Sequence, residues 1–200
     1  WSRGLGDVYK RQLPTYQSAW LKTHYPAPFI AGLLTHDPGM YPKRLILDEA
    51  RQMGIAVLPI DINKSDITYR VEAGGIRLAF IDLAGISETE AVNIVSAQPY
   101  LDLTDFVRRS GASQPTTEKL IMIGAFDSLH NVNRRDLLLH LSDINRSPVA
   151  TSNPKLKVIG AQMTFGFKAP DLKPSGLPDL TDTERVRTEV ENLGMEVSSH

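Results

Sequence analysis

Apolar and polar positions along this chain change rhythm several times, and each change marks an element. Thr15 to His24 reads as a helix, with Trp20 and Leu21 as its bulky apolar residues. Pro26 and Pro28 interrupt it, and PFIAGLLTH resumes the helical pattern. DPGMYP is turn chemistry, with Gly39 free to take positive φ. Pro42 suits a first helical turn, and KRLILDEARQM follows with Leu45, Ile46, Ala50 and Met53 near helical spacing. Gly54 is placed to end that helix. IAVLPIDIN is a short apolar run closed by Pro59 and reads as a strand. ITYRVEAGGIRLAF is two β-rich runs joined at Gly74-Gly75, a hairpin signal.

From Gly85 onward the period is helical again. Ser87-Glu88-Thr89-Glu90 fits a capping box opening ETEAVNIVSA. LTDFVRRSG is a short helix stopped by Gly111, and QPTTEKLIMIGAF is another stopped by Gly124. NRRDLLLHLSDIN is a fourth, with Asn133 as its N-cap. Residues 147–180 are rich in Pro, Ser and Lys and read as a linker holding one apolar island, QMTFGF. Thr181 to Glu184 forms a second capping box before ERVRTEVENL, which Gly194 ends. The expected class is α+β, mostly α: helices with a small β-hairpin, a helical-hairpin region, a Pro-rich linker and a terminal helix.

Composition narrows the chemistry. Two hundred residues with 42% hydrophobic and 22% charged side chains suit a soluble globular chain. There is no cysteine, so disulfides and thiolate metal sites are excluded. No apolar run approaches the ~20 residues of a membrane span, and no membrane partner is expected. Net charge is −1; residues 1–12 carry +2, 13–75 carry 0, 76–135 carry −1 and 136–200 carry −2. Any nucleic-acid contact is therefore local, made by backbone amides and a few Arg or Lys.

No catalytic constellation is present: no phosphate loop ending in Lys-Ser/Thr, no HExxH, no nucleophile elbow. The five histidines are scattered, and His36 and His130 beside turns read as surface or capping residues. Asp48-Glu49 and Glu88/Glu90 read as helix-surface carboxylates. Neither catalytic nor metal-binding residues are assigned.

Two features carry a binding reading. In DLAGISETEAVNIV, a tight turn at Gly85, Ile86 and Ser87 leads into a helix start. Outward amides and the helix dipole can hold a phosphate there, as in a helix-hairpin-helix motif. The other reading is a plain capped helix–helix turn, and two facts favour it. Ser87 stands where the common pattern has a second glycine, and Glu88 and Glu90 repel phosphate. In QMTFGF, Gln162 leads apolar residues at Met163, Phe165 and Phe167 with period two. That pattern suits an extended peptide feeding a pocket, or a linker folding back on its own domain.

TYQSAWLKTHYPAPFIAGLL, EARQMGIAVLPIDIN, LAGISETEAVNIV and EKLIMIGAFDSL occur in this order and together resemble the bacterial C-family DNA polymerases, the polymerase III α subunit and its error-prone paralogue. The resemblance covers about residues 13–145, and more loosely reaches 200. It implies that 13–75 is the end of a fingers domain and 76–146 a helix-hairpin-helix domain holding duplex DNA by its backbone. Gly85, Ile86 and Ser87 would meet phosphates. Gln162, Met163, Phe165 and Phe167 match the family's sliding-clamp peptide, within a 147–180 linker. Residues 181–200 would begin the next C-terminal segment. The implied parent is a cytoplasmic DNA-directed DNA polymerase, replicative or acting in error-prone lesion bypass. Its Mg²⁺-binding aspartates would lie outside these residues, leaving the fragment with no cofactor. The reading outside that family is a non-catalytic helical protein-interaction module with no DNA role. Residues 1–12 have no counterpart in the family, and DVYKRQ corresponds to a translated transposon-end adapter used in making sequencing libraries. They are expected to be an adapter-derived artefact.

Overall fold

The computed structural model describes residues 3–36, 39–130, 132–146 and 174–197, with side chains from Lys10 onward. Helix α1 spans Arg3–His24 and runs unbroken through Pro14 and the 12/13 junction. The helix expected from Thr15 thus starts earlier. Trp20 and Leu21 are each 43% exposed and do not join the core; Trp20 instead packs its ring near His24 and Tyr25. Pro26 opens α2 (Pro26–His36), where its missing N–H costs nothing. Ala27, Ile30, Ala31 and Leu34 form the buried seam at helical spacing. In α3 (Lys43–Gln52) the buried residues are Ile46, Leu47 and Ala50. Leu45, expected on that face, is exposed, because the buried stripe is centred one residue later.

The sheet has three short strands, β1 (Val57–Leu58), β2 (Arg70–Glu72) and β3 (Gly75–Arg77), ordered β1-β3-β2. β2 and β3 form the expected hairpin, but its turn lies one residue earlier than Gly74-Gly75. Ala73 and Gly74 take φ of 49° and 82°, and Glu72 pairs Gly75. Two central residues with positive φ match the strand twist of a two-residue hairpin. Gly75 is needed for another reason: a Cβ there would lie 2.8 Å from the Ala56 carbonyl oxygen. Register places Arg70 opposite Arg77, a like-charge pair. Each has its own acid: Arg70 pairs Asp66 at 3.3 Å, and Arg77 pairs Glu72 while donating to the Pro59 carbonyl.

The domain boundary expected after residue 75 falls inside β3, whose two neighbouring strands both precede it. β3 pairs β1 in parallel and β2 antiparallel, and the Ile62 N–H reaches the Ala125 carbonyl across the same junction. A 3₁₀ turn (Phe80–Asp82) leads to α4 (Glu88–Ser96), α5 (Leu103–Arg109), α6 (Gln114–Met122) and α7 (Arg134–Arg146). Their centre is an aromatic row: Tyr100 and Phe106 meet edge-on at 4.9 Å, Phe106 and Phe126 at 5.1 Å. Tyr100 donates its hydroxyl to the Ile94 carbonyl, and burial pushes its pKa up to about 12.

Helix α8 (Asp182–Leu193) has the expected capping box at Thr181 and Glu184, and Gly194 closes it at φ 69°. The segment from residue 181, expected to begin the next C-terminal segment, packs on the preceding helices. Leu193 and Met195 enter the same hydrophobic cluster as α2 and α4, and Asn192 accepts from the Ala84 N–H. The class is α+β, mostly α.

Candidate nucleic-acid interface

Gly85, Ile86 and Ser87 form one turn at the start of α4. Leu83 anchors its base at 2% exposure, and Gly85 takes φ 82°, the left-handed region. Ser87 is the N-cap: its hydroxyl accepts the Glu90 N–H, and the Glu90 carboxylate accepts the Ser87 N–H. The amides of this turn are not all available. Ala84 N–H donates to Asn192, Ile86 N–H to the Leu83 carbonyl, and Ser87 N–H to Glu90. Among the described residues, the N–H groups of Gly85, Glu88 and Thr89 make no hydrogen bond. An anion at this helix start would therefore meet Gly85 and the first turn of α4, rather than the Ile86 and Ser87 amides.

Glu90 has a partner that its spacing did not reveal. Its second oxygen accepts the Ser113 N–H at 2.9 Å and faces the Thr116 hydroxyl at 3.3 Å. One carboxylate thus caps two helices, its own and α6, whose N-cap Ser113 makes no side-chain cap of its own. The Ser113 amide above all, helped by the Ser87 donors, holds the Glu90 carboxyl at about 2, against a desolvation that pushes the other way. Glu90 therefore stays ionised, with its two oxygens turned to the Ser87 and Ser113 donors.

The cation of the site comes from 35 residues away. Lys119 on α6 donates Nζ to the Ala84 carbonyl and would lie 3.2 Å from a Cβ placed on Gly85. No periodicity in the sequence points to it; only the packing of α6 beside the turn does. A second tight turn follows α6. Gly124, at φ 83°, leaves room for the Arg134 guanidinium, which lies against it and bonds Asp127 and the Met122 carbonyl. Asn133 caps α7 by accepting the Arg135 N–H at 2.8 Å. His130 has the capping role expected of it: its Nε2 accepts the Leu103 N–H at 3.1 Å, and burial pushes its pKa down.

Of the carboxylates named from the sequence, Asp48 pairs with Arg51 and Glu49 with Lys22. Among the described residues no group of three His, Cys, Asp or Glu side chains is placed to hold a metal ion, and no helix is long and apolar enough to cross a membrane. Gln162, Met163, Phe165 and Phe167 lie outside the described residues.

Residues 54–137 match the helix-hairpin-helix motif family. The error-prone DNA polymerase of Bdellovibrio bacteriovorus is 34% identical over 94% of this chain. That of Corynebacterium diphtheriae is 37% identical over 78% of it, and the DNA polymerase III subunit alpha of Deinococcus radiodurans 33% identical over 93%. The chain belongs to the bacterial C-family DNA polymerases. It spans 18%, 15% and 15% of those three relatives' lengths. The matched motif begins at Gly54, before β1, so it includes the sheet as well as the helical hairpins.

Proposed function

We propose that this chain is the part of a cytoplasmic bacterial DNA polymerase that grips duplex DNA by its backbone and links the enzyme to its sliding clamp. The carrying observation is the turn at Gly85. Unpaired amides at Gly85, Glu88 and Thr89, the α4 dipole and the Lys119 ammonium converge there, while Glu90 is tied inward to Ser113. This is a contact for phosphate oxygens and carries no means of reading bases, so the grip is independent of sequence. Gln162, Met163, Phe165 and Phe167 supply the clamp peptide by their spacing. The parent reaction is DNA-directed nucleotidyl transfer, in a replicative or an error-prone, lesion-bypassing enzyme, with Mg²⁺ as its metal. Among the described residues no cluster of carboxylates is placed to hold Mg²⁺.

Titration of a labelled duplex at increasing salt tests the grip. Binding weakens with salt at a shallow log–log slope of roughly −1 to −3, because each neutralised phosphate contributes about −0.9. Ser87→Asp weakens binding; equal affinity in that variant removes the hairpin as the contact. Phe165→Ala with Phe167→Ala abolishes clamp capture, and unchanged capture refutes the peptide assignment. A protein-interaction module without a DNA role is the second reading. The exposed stripe Leu13, Tyr16, Trp20 and Leu21 on α1 favours it, and absence of any duplex binding by the wild-type chain would select it.

A further inference from the structure

Arg135 stands in the first turn of α7, just after the second tight turn, and its anionic partner comes from the C-terminal segment. A single nitrogen, Nη2, contacts both Glu184 oxygens at 3.1 Å. Among the described residues, Nε and Nη1 of Arg135 make no hydrogen bond, so most of the guanidinium fork is unused. The two side chains are 34% and 46% exposed, a setting in which an ion pair adds little to folding and salt or another anion competes for it. What holds α8 in place lies elsewhere. Leu180, Leu193 and Met195 are buried, Asn133 donates to the Leu177 carbonyl, and Asn192 accepts from Ala84. The Arg135–Glu184 pair can therefore open while α8 stays docked.

The same helix touches both hairpins. Glu184 sits at the α7 start and Asn192 at the Gly85 turn. Eight residues of helix separate them, on the order of 12 Å at 1.5 Å per residue. That matches roughly three to four base-pair steps of duplex at 3.4 Å each. A duplex lying on the Gly85 turn and running along α8 would come within reach of Arg135.

We propose that Arg135 is a second phosphate contact held in reserve by Glu184, so that the docked C-terminal helix limits the strength of the duplex grip. The proposal rests on the reading of the Gly85 turn as a duplex contact. On approach of DNA, Arg135 exchanges a carboxylate partner for a phosphate oxygen. Glu184 keeps its bonds to the Thr181 N–H and hydroxyl, so it is not left unpaired.

The test is a salt titration of labelled duplex on the full chain, comparing wild type with Glu184→Gln. Glutamine serves at this position of a capping box, so the substitution removes the charge and leaves the helix start intact. The expected result is roughly three- to ten-fold tighter binding at low salt and a log–log slope steeper by about 0.9, one additional phosphate. Both changes vanish in an Arg135→Ala background, which separates this contact from a general effect of net charge. Equal affinity and slope in wild type and Glu184→Gln overturns the proposal and leaves the Gly85 reading standing. So does a gain that persists without Arg135. Absence of duplex binding by wild type and variant alike defeats the Gly85 reading itself, and this proposal with it.

Discussion

The Glu90 carboxylate on α4 accepts the backbone N–H of Ser113, 23 residues later at the start of α6, over 2.9 Å. Two helix N-termini therefore share one anion, and removing it uncaps both. Glu90→Ala should cost about 1–2 kcal/mol, the upper range for a lost cap, measured by urea denaturation. Glu90→Gln should cost less, since its amide oxygen still accepts. A loss no larger than that of an exposed-surface substitution would show the shared cap to be idle.

The same carboxylate makes stability depend on acid. Its folded pKa of about 2 lies below the unfolded value of about 4.5. The unfolded state binds the proton first as pH falls, so this contribution is complete above about 4.5 and is lost progressively toward 2. In Glu90→Gln the stability–pH curve should be flatter across that window.

His130 gives a second acid-sensitive window at higher pH. Burial keeps its imidazole neutral, and its Nε2 must stay unprotonated to accept the Leu103 N–H. A histidine with a depressed folded pKa favours the unfolded state once pH drops below about 6.5, the ordinary imidazole value. His140 is depressed by burial as well and adds to the same slope. Thermal melts from pH 7.5 to 5 should show falling midpoints, with a smaller fall in His130→Gln. An unchanged fall would place the effect on His140 alone.

Two glycines should resist substitution for different reasons. Gly75→Ala drives a Cβ onto the Ala56 carbonyl, which is backbone and cannot swing away, so the β1–β3 pairing must open. Gly124→Ala adds the left-handed penalty of roughly 1–2 kcal/mol and displaces Arg134 from Asp127. Gly39 has φ 68° with open space around it and should lose only the conformational part. Chemical denaturation of the three variants should rank Gly39→Ala as the mildest.

Lys119→Ala should weaken duplex binding and reduce the salt slope by about 0.9, while Lys119→Arg keeps the slope. A slope untouched by Lys119→Ala would mean that this ammonium only props the Ala84 carbonyl.

Local chemistry made much of this legible in the sequence. Both capping boxes, the stops at Gly111, Gly124 and Gly194, and the β2–β3 hairpin follow from residues within a few positions of one another. Shifts of one or two residues occur where nearby positions satisfy the same pattern: Leu45 or Leu47 for the buried face, Gly74-Gly75 or Ala73-Gly74 for the turn. The rest depended on distances no spacing encodes. Lys119 reaches Ala84, Glu90 reaches Ser113, and Glu184 reaches Arg135, each across more than 20 residues. Lys119 and Glu90 are the charged groups that these contacts bring to the Gly85 turn.

The place of β3 in the sheet bears on how pieces of this protein are made. An expression boundary at residue 76 would strip β3 of both neighbouring strands and cut the strand itself. It would take away Glu72 and the Pro59 carbonyl, leaving Arg77, buried at 6% exposure, without its anion or its acceptor. A helical-hairpin piece cut there should aggregate through the bared strand edge, whereas one beginning at Pro26 keeps α2, the sheet and the hairpins in a single folding unit.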